Sequence, residues 1–442
     1  MAKALLQDTN RKVVDGAAGE LLADGNPSAA ATPPVERSGV TPHGVAFWVV
    51  AAAFLLNMAF SAVPTPLYVL YQARDHFSGI VVTIVYAVYA VGVIASLFLA
   101  GHISDWAGRK RVLVVALFVN VASAMLFIFF PSLAGLIVAR VVSGVSVGLT
   151  TATATAYLAE LHLGARPHAT SRRPEVVATA ANLGGIGIGP LVAGVLAQLA
   201  PAPLRLPYLV VGGAIAVLAL LVMLAPETTA PPDLRPAWHP QRVAVPRDAR
   251  AHFYAATSAA IAAFAVYGVF NSLVPSFLAG TLHVDSHAVA GAVAFSAFAA
   301  GALAQIALGK LTNDHLLRWS VPVLLLGLVL FATGMWMASL AVFVVGGVVT
   351  GAGGGLVFRG ALVAAGSTAP AESRAEVLAG FFLGAYIGLS VPVIGLGIAT
   401  TYASARDVML VFVVLVGIAV TFSVRAVIRR SHAAPLPPAP IR

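Results

Sequence analysis

The sequence predicts an all-α integral membrane protein in which twelve transmembrane helices form two pseudo-symmetric halves of six helices each. Three observations support this fold class: the composition, the number of long apolar runs and an internal repeat. Of the 442 residues, 59% are hydrophobic and only 10% are charged, whereas soluble domains carry about 25% charged residues. Most of the chain must therefore contact lipid. The runs are unbroken rather than alternating, which favours helices over the strands of a membrane barrel.

Twelve apolar runs are each long enough to cross a hydrocarbon core of about 30 Å at about 1.5 Å per helical residue. The predicted spans are 45–70, 79–100, 111–131, 133–160, 175–200, 207–225, 252–279, 288–310, 319–338, 340–366, 374–399 and 406–428. Residues 1–43, which are polar and rich in Ala, Gly and Pro, predict a disordered cytoplasmic tail without the apolar segment of a signal peptide. Residues 429–442 predict a second cytoplasmic tail.

The distribution of Lys and Arg predicts the orientation in the membrane, because cytoplasmic loops carry the excess of both residues. With both termini inside, only Arg74, Arg205 and Arg406 lie in outer loops, and Arg140 and Arg359 lie within spans. The other 21 of the 26 cations lie in the tails and inner loops. We therefore predict a multi-pass protein of the cell (inner) membrane with cytoplasmic termini. The cations are spread over separate loops, which favours anionic inner-leaflet lipid over nucleic acid as their partner.

The second half of the chain repeats landmarks of the first half at a nearly constant spacing. The paired positions, 201 to 211 residues apart, are Gly101 and Asp105 with Gly309 and Asn313, Gly144 and Gly148 with Gly351 and Gly355, Arg173 and Glu175 with Arg374 and Glu376, and Pro64 with Pro275. The repeat predicts one half at 44–226, a cytoplasmic linker at 227–250 and a second half at 251–428. Two such repeats face each other across a cavity at the membrane midplane.

A basic turn separates the second and third spans. Its residues fit the pattern G-x-x-x-D-x-x-G-R-K/R-x-x-L, with Gly101, Asp105, Gly108, Arg109, Lys110, Arg111 and Leu113 in order. The two glycines allow a tight reversal of the chain. The chain therefore resembles the major facilitator superfamily, in which this pattern forms the loop between helices 2 and 3. The resemblance covers residues 45–428 and implies a carrier of small molecules that works by alternating access.

Span 4 carries a second motif. Arg140 and Gly144 resemble the R-x-x-x-G motif of the superfamily. A guanidinium within a bilayer should face protein or a water-filled cavity, and the alternative is an arginine that extends towards the outer interface. Gly144, Ser146 and Gly148 also fit the G-x-S-x-G pattern of hydrolases. That pattern requires a strand-to-helix turn with His and Asp partners, which this span lacks, so we predict no enzyme activity.

Span 5 carries a third motif. Gly185, Gly189, Pro190 and Gly194 resemble the G-x-x-x-G-P-x-x-G-G motif of drug/proton antiporters, with Ala193 in place of one glycine. Small residues at this spacing permit close helix packing, and Pro190 removes one backbone hydrogen bond. The resemblance implies efflux, whereas ordinary packing in a glycine-rich membrane protein is the alternative.

The resemblance also implies a gate at the inner face. Asp105 would face the N-terminus of span 11 in the outward-open state, where the helix dipole favours a negative charge. Arg109 is expected to pair with Glu160, the only carboxylate near the inner end of span 4. Together these residues would hold the two halves closed on the cytoplasmic side.

Spans 1, 4, 7 and 10 are implied to line a substrate cavity. The candidates, including two from spans 5 and 11, are Asn57, Tyr68, Tyr157, Asn182, Tyr267, Asn271, Arg359 and Tyr386. Each has the alternative of a buried amide bonded to a neighbouring helix or of an interfacial tyrosine. Arg359 is the strongest candidate, because it lies within a span and has no acidic neighbour in the sequence.

The resulting prediction is a monomeric exporter of drug-like or amphipathic compounds, which requires no cofactor or metal beyond a transmembrane ion gradient of protons. The residue content argues against proton coupling through the membrane midplane, because no Asp, Glu or His lies in the middle of a span. Only Asp105 and Glu160 remain as residues that could bind the proton. An importer or facilitator of a metabolite or organic anion that uses Arg140 and Arg359 fits the charges equally well. A transport-inactive membrane sensor or scaffold is a third alternative.

Overall fold

The structure is a computed structural model that describes residues 41–229, 240, 245–369 and 374–433. The predicted tails (before 41 and after 433) and most of the predicted linker lie outside these residues. Within them, twelve helices are long and apolar enough to cross a membrane. They are α1 (His43–Asp75), α2 (Gly79–Ala100), α3 (Arg109–Phe129), α4 (Leu133–Ala165), α5 (Arg172–Leu199), α6 (Leu206–Met223), α7 (Arg250–Ser272), α8 (His287–Ala307), α9 (Asn313–Trp336), α10 (Leu340–Gly366), α11 (Arg374–Ala399) and α12 (Ala405–Ala433). The predicted fold class is confirmed.

Prolines and a π-helical turn interrupt three of these helices. In α1, the helix His43–Ala62 ends before a 3₁₀ turn at Thr65–Leu67, because Pro64 and Pro66 lack the N–H groups that would continue it. The predicted span 252–279 is two helices, since α7 ends at Ser272 and a short helix, Val274–Thr281, follows. In α5, a π-helical turn at Ala180–Gly184 precedes Pro190. Such turns are frequent at functional sites.

The repeated glycines mark equivalent helix crossings in the two halves. In the first half, a Cβ added to Gly144 of α4 would overlap the Tyr89 carbonyl oxygen of α2. In the second half, a Cβ added to Gly351 of α10 would overlap the Ala297 carbonyl oxygen of α8. Only glycine permits this approach of two backbones. The internal repeat in the sequence therefore reflects the same close packing in both halves.

The two ends of the bundle differ in how the halves meet. We call the end that holds residues 101–109 and 226–229 the basic end, and the opposite end the far end. Towards the far end, the Thr65 hydroxyl donates to the Asn271 carbonyl at 3.0 Å, and the Ser276 hydroxyl donates to Gln72 Oε1 at 3.4 Å. At the basic end, a cavity of about 810 Å³ separates α2 and α4 from α10 and α11. The bundle is therefore closed at the far end and open at the basic end.

Candidate functional site

A central cavity of about 340 Å³ lies between the two halves and is lined by residues of α1, α2, α4, α5, α7, α8, α10 and α11. It shares Thr151, Thr155, Leu362, Phe382 and Tyr386 with the larger basic-end cavity. The two spaces therefore adjoin, and together they connect the middle of the bundle with the basic end. A cavity in this position is typical of a binding site between the two repeats of a membrane carrier.

Arg140 lines the central cavity and is only 1% exposed. Its guanidinium donates to the carbonyls of Ser61 at 2.6 Å and Tyr86 at 3.3 Å, and lies 4.5 Å from the centre of the Tyr89 ring. It does not extend to the outer interface. None of the ion pairs among the described residues involves Arg140, and its Nε has no hydrogen-bond partner there. The cavity therefore has a buried positive charge that carbonyls and aromatic faces stabilise without neutralising it.

Aromatic side chains form most of the apolar wall. Tyr386 lies 6.4 Å from Tyr89 and 5.9 Å from Phe264, measured between ring centres. Tyr267 stacks on Phe298 at 4.7 Å. Buried polar atoms that lack a partner among the described residues add hydrogen-bonding capacity to the lining; they are Tyr86 Oη, Asn271 Oδ1 and Gln305 Nε2. This combination suits a compound with an apolar body and a few polar groups.

Glu175 is the one acidic residue among the described residues that line either cavity. It lies in the first turn of α5 and is exposed. The sequence did not indicate it, because a charge at the start of a span is typical of the membrane surface. A carboxylate at the start of a span reaches the cavity only because the halves separate at the basic end.

Four of the eight predicted cavity residues line the central cavity: Asn182, Tyr267, Asn271 and Tyr386. Arg359, the strongest of the predicted candidates, lies outside the lining of both cavities. Its guanidinium donates to the Gln305 carbonyl and, at 3.2 Å, to the Gly309 carbonyl, so it binds the C-terminal end of α8. Carbonyls at a helix end lack intrahelical partners, which explains why an arginine within reach binds them.

Asn57, Tyr68 and Tyr157 also lie outside the lining of both cavities. Asn57 is fully buried and donates to the Thr150 hydroxyl at 2.9 Å, while its Oδ1 accepts from Asn120 at 2.8 Å. It therefore joins α1, α3 and α4 within one half, which is the alternative that the sequence left open. Tyr68 belongs to the buried apolar core.

A hydrogen-bonded group at the basic end, here called the basic-end cluster, connects α3, α4 and the segment after α6. Arg109 pairs with Asp105, donates to Glu160 at 3.1 Å and to the Ser104 hydroxyl at 2.7 Å. The other Glu160 oxygen accepts from the Thr228 hydroxyl at 2.5 Å. The Asp105 side chain is 60% exposed. Its predicted contact with the start of α11 concerns the opposite, outward-open state and stays a prediction.

The model of the Major Facilitator Superfamily matches residues 49–321, more than half of the chain. This chain belongs to the major facilitator superfamily. It is a multi-pass membrane transporter and not an enzyme. A comparison with curated protein sequences finds no significant match.

Solved structures of superfamily members share the fold at low sequence identity. A bacterial homologue of the human lysosomal transporter Spinster, inward-facing and unoccupied, is 14% identical with a TM-score of 0.68, over 90% of this chain and 99% of that chain. The nucleoside transporter NupG is 13% identical with a TM-score of 0.65, over 86% and 99%. The human organic anion transporter TETRAN is 16% identical with a TM-score of 0.61, over 87% and 100%. At these identities the likeness concerns the fold.

Two residues of this transporter that the sequence analysis did not assign to the gate also belong to the basic-end cluster. Glu227, just after α6, accepts from the Thr228 N–H at 3.1 Å and, weakly, from the Lys110 N–H at 3.4 Å. The Tyr157 hydroxyl donates to the Pro226 carbonyl at 2.5 Å. Segment 225–228 is thereby tied to α3 and α4, so Tyr157 belongs to the basic-end cluster rather than to the cavity lining.

Replacement of Gly108 in this cluster is expected to destabilise the protein. Its φ of +104° is a backbone conformation that side chains with a Cβ rarely adopt, and an added Cβ would overlap the Glu227 carboxylate. Gly108→Ala should lower the free energy of unfolding by about 1–3 kcal/mol, measured by thermal unfolding in detergent. Gly213→Ala is the control, because a Cβ there meets open space within α6. Unchanged stability of Gly108→Ala would contradict this account.

The glycine motif of α5 lies at close helix crossings of this transporter. A Cβ at Gly185 would lie 2.5 Å from the Leu55 carbonyl oxygen, and one at Gly189 would overlap the Ala59 carbonyl oxygen, both in α1. A Cβ at Gly194 would overlap the His287 carbonyl oxygen of α8, in the other half. The motif therefore holds α5 against both halves near the far end.

Proposed function

We propose that this transporter moves small amphipathic organic anions across the membrane by alternating access. The supporting observation is Arg140, a buried guanidinium that lines an aromatic cavity and has no carboxylate partner among the described residues. A positive charge in a low-dielectric cavity attracts an anionic group, while aromatic rings cover an apolar body. Among the similar structures, one is that of an organic anion transporter, which agrees with this substrate class.

We further propose that the direction is export from the cytoplasm and that protons drive it. The Lys and Arg distribution favours a cytoplasmic basic end, so the open basic-end cavity admits compounds from inside a cell. The α5 motif resembles that of drug/proton antiporters. Glu175, as the acidic residue of the cavity lining, is the proposed proton site in place of a residue in the middle of a span. The proposed location is the cell inner membrane.

A facilitator of organic anions without proton coupling is the second candidate. It is favoured by one observation: among the described residues that line the buried part of the cavity, none is acidic, because Glu175 is exposed at its margin. The two candidates share the substrate and differ in the energy source.

Transport by purified protein in proteoliposomes tests both candidates. The compounds are an aromatic carboxylate, its uncharged amide and the corresponding amine, each with and without a pH gradient. A charge-assisted hydrogen bond predicts that the carboxylate moves roughly 10- to 100-fold faster than the amide. Faster transport of the amine would contradict the anion proposal. Accumulation that needs the pH gradient and is lost in Glu175→Gln supports proton-driven export, whereas indifference to the gradient supports the facilitator.

A further inference from the structure

A second pocket lies away from the transport path, at the basic end of the first half. It measures about 180 Å³ and lies between the start of α1, the end of α4 and the start of α5. Its lining, here called the α1/α4/α5 pocket, consists of Gly44, Phe47, Trp48, His162, Ala165, Arg166 and Arg173. None of these residues lines the central or the basic-end cavity. The passage of substrate therefore does not explain the pocket.

The pocket carries positive charge that no carboxylate among the described residues neutralises. Arg166 and Arg173 are both exposed, and segment 161–174 contains no acidic residue. The two carboxylates that flank this segment lie at other sites. Glu160 belongs to the basic-end cluster, and Glu175 lines the central cavity. Neither arginine takes part in an ion pair among the residues described. Two arginines that line one pocket without a carboxylate partner among the described residues favour an external anion.

Aromatic contacts place this charge at the border of the lipid-facing surface. The Arg173 guanidinium lies 5.5 Å from the centre of the Trp48 ring and 5.9 Å from that of Phe47. Trp48 is 53% exposed, and the neighbouring Val45 and Leu163 are 52% and 49% exposed. Tryptophan and arginine at the end of a span are typical of the headgroup level of a membrane. The headgroup level of a membrane is where lipid phosphates supply anions.

We propose that the α1/α4/α5 pocket binds the phosphodiester headgroup of an anionic phospholipid, with Arg166 and Arg173 on the phosphate and Trp48 against its acyl chains. Guanidinium groups bind phosphate oxygens through paired hydrogen bonds. Free phosphate offers the same oxygens but has no tail for the exposed apolar side chains beside the pocket. All three helices belong to one half, so the lipid stabilises that half and leaves its movement against the other half free.

Native mass spectrometry of the purified full-length protein tests this proposal, with titrations of phosphatidylglycerol, phosphatidylcholine and inorganic phosphate. We expect one phosphatidylglycerol to bind more tightly than phosphatidylcholine, and inorganic phosphate not to displace it. Each basic group near an anionic lipid contributes roughly fivefold in affinity, so Arg166→Gln with Arg173→Gln should weaken phosphatidylglycerol binding about 30-fold.

Two variants separate the pocket from general surface charge. Lys310→Gln with Arg318→Gln removes the same charge from exposed positions at the basic end of the other half, and its affinity should match that of the wild type. Gly44→Leu keeps both pocket arginines and adds a large apolar side chain to the pocket lining, at a position where a Cβ meets open space, and it should weaken binding. Equal losses in the two double variants, full affinity in Gly44→Leu, or displacement by phosphate would each overturn the proposal.

Discussion

Replacing Arg140 with glutamine is expected to slow transport of an aromatic carboxylate roughly 10- to 100-fold and to change transport of its uncharged amide little. The guanidinium is buried in the cavity wall, and its Nε has no partner among the described residues. An anionic group in the cavity would lose a charge-assisted hydrogen bond worth about 1.5–3 kcal/mol. The measurement is the ratio of initial rates for the two compounds in proteoliposomes that contain equal amounts of folded protein.

Arg359→Gln is the matched control for this prediction, because it removes the other arginine that lies within a span. Its guanidinium binds carbonyls at the end of α8, so thermal stability should fall while the ratio of rates stays that of the wild type. Arg140→Lys keeps the charge and should retain part of the preference. If Arg140→Gln slowed the acid and the amide equally, Arg140 would serve only to join α1, α2 and α4, and the anion proposal would fail.

The positions of the helices follow from the sequence because lipid leaves the backbone few choices. A chain in hydrocarbon must satisfy its N–H and C=O groups internally, so apolar length alone predicts each span. The largest difference lies in the predicted span 252–279, where the helix ends at Ser272 and restarts at Val274. Apolar content does not distinguish a continuous helix from a broken one, and only Pro275 indicates the break.

The sequence does not show which of the two arginines within spans lines the cavity. The sequence favours Arg359 for the cavity, because it lacks an acidic neighbour, yet its reach allows it to bind α8 carbonyls about 50 residues away in the chain. Arg140 faces the cavity because carbonyls of α1 and α2 and the Tyr89 ring fix its guanidinium there. These partners lie on other helices, and no local pattern reports which helices meet.

The positions of Glu227 and Glu175 could not be predicted from the sequence for a related reason. Glu227 follows the last residues of α6, in a stretch that reads as the beginning of a linker, and only the folded chain places it beside Lys110 and Gly108. From the sequence alone, Glu175 is expected to be a charge at the membrane surface. Its position in the cavity lining depends on the separation of the two halves at the basic end, which is a property of one conformation and not of the sequence pattern around it.

A disulfide that joins the halves at the far end is expected to reduce transport to the background of empty liposomes. Thr83 of α2 and Gly397 of α11 lie on different halves, and an added Cβ at Gly397 would lie 3.1 Å from the Thr83 Cβ, close to the roughly 3.5–4.5 Å of a disulfide. The two atoms nearest to that Cβ are Thr83 Oγ1 and Cγ2, and the substitution to cysteine removes both. The chain has no cysteine of its own, so Thr83→Cys with Gly397→Cys gives one defined bond. Transport should stop on oxidation and return with dithiothreitol.

The matched control joins two helices of a single half. An added Cβ at Gly384 of α11 would lie 3.7 Å from the Thr257 Cβ of α7, within the roughly 3.5–4.5 Å of a disulfide, so Thr257→Cys with Gly384→Cys should also cross-link, but transport should continue because the halves still move apart. If both oxidised pairs lost transport, the loss would come from the cross-link itself and not from a closed far end. If the oxidised Thr83→Cys/Gly397→Cys protein transported at the wild-type rate, the far end would not need to open between α2 and α11. Alternating access through this cavity would then be contradicted, since a substrate that enters from the basic end can leave on the other side only after these two helices separate.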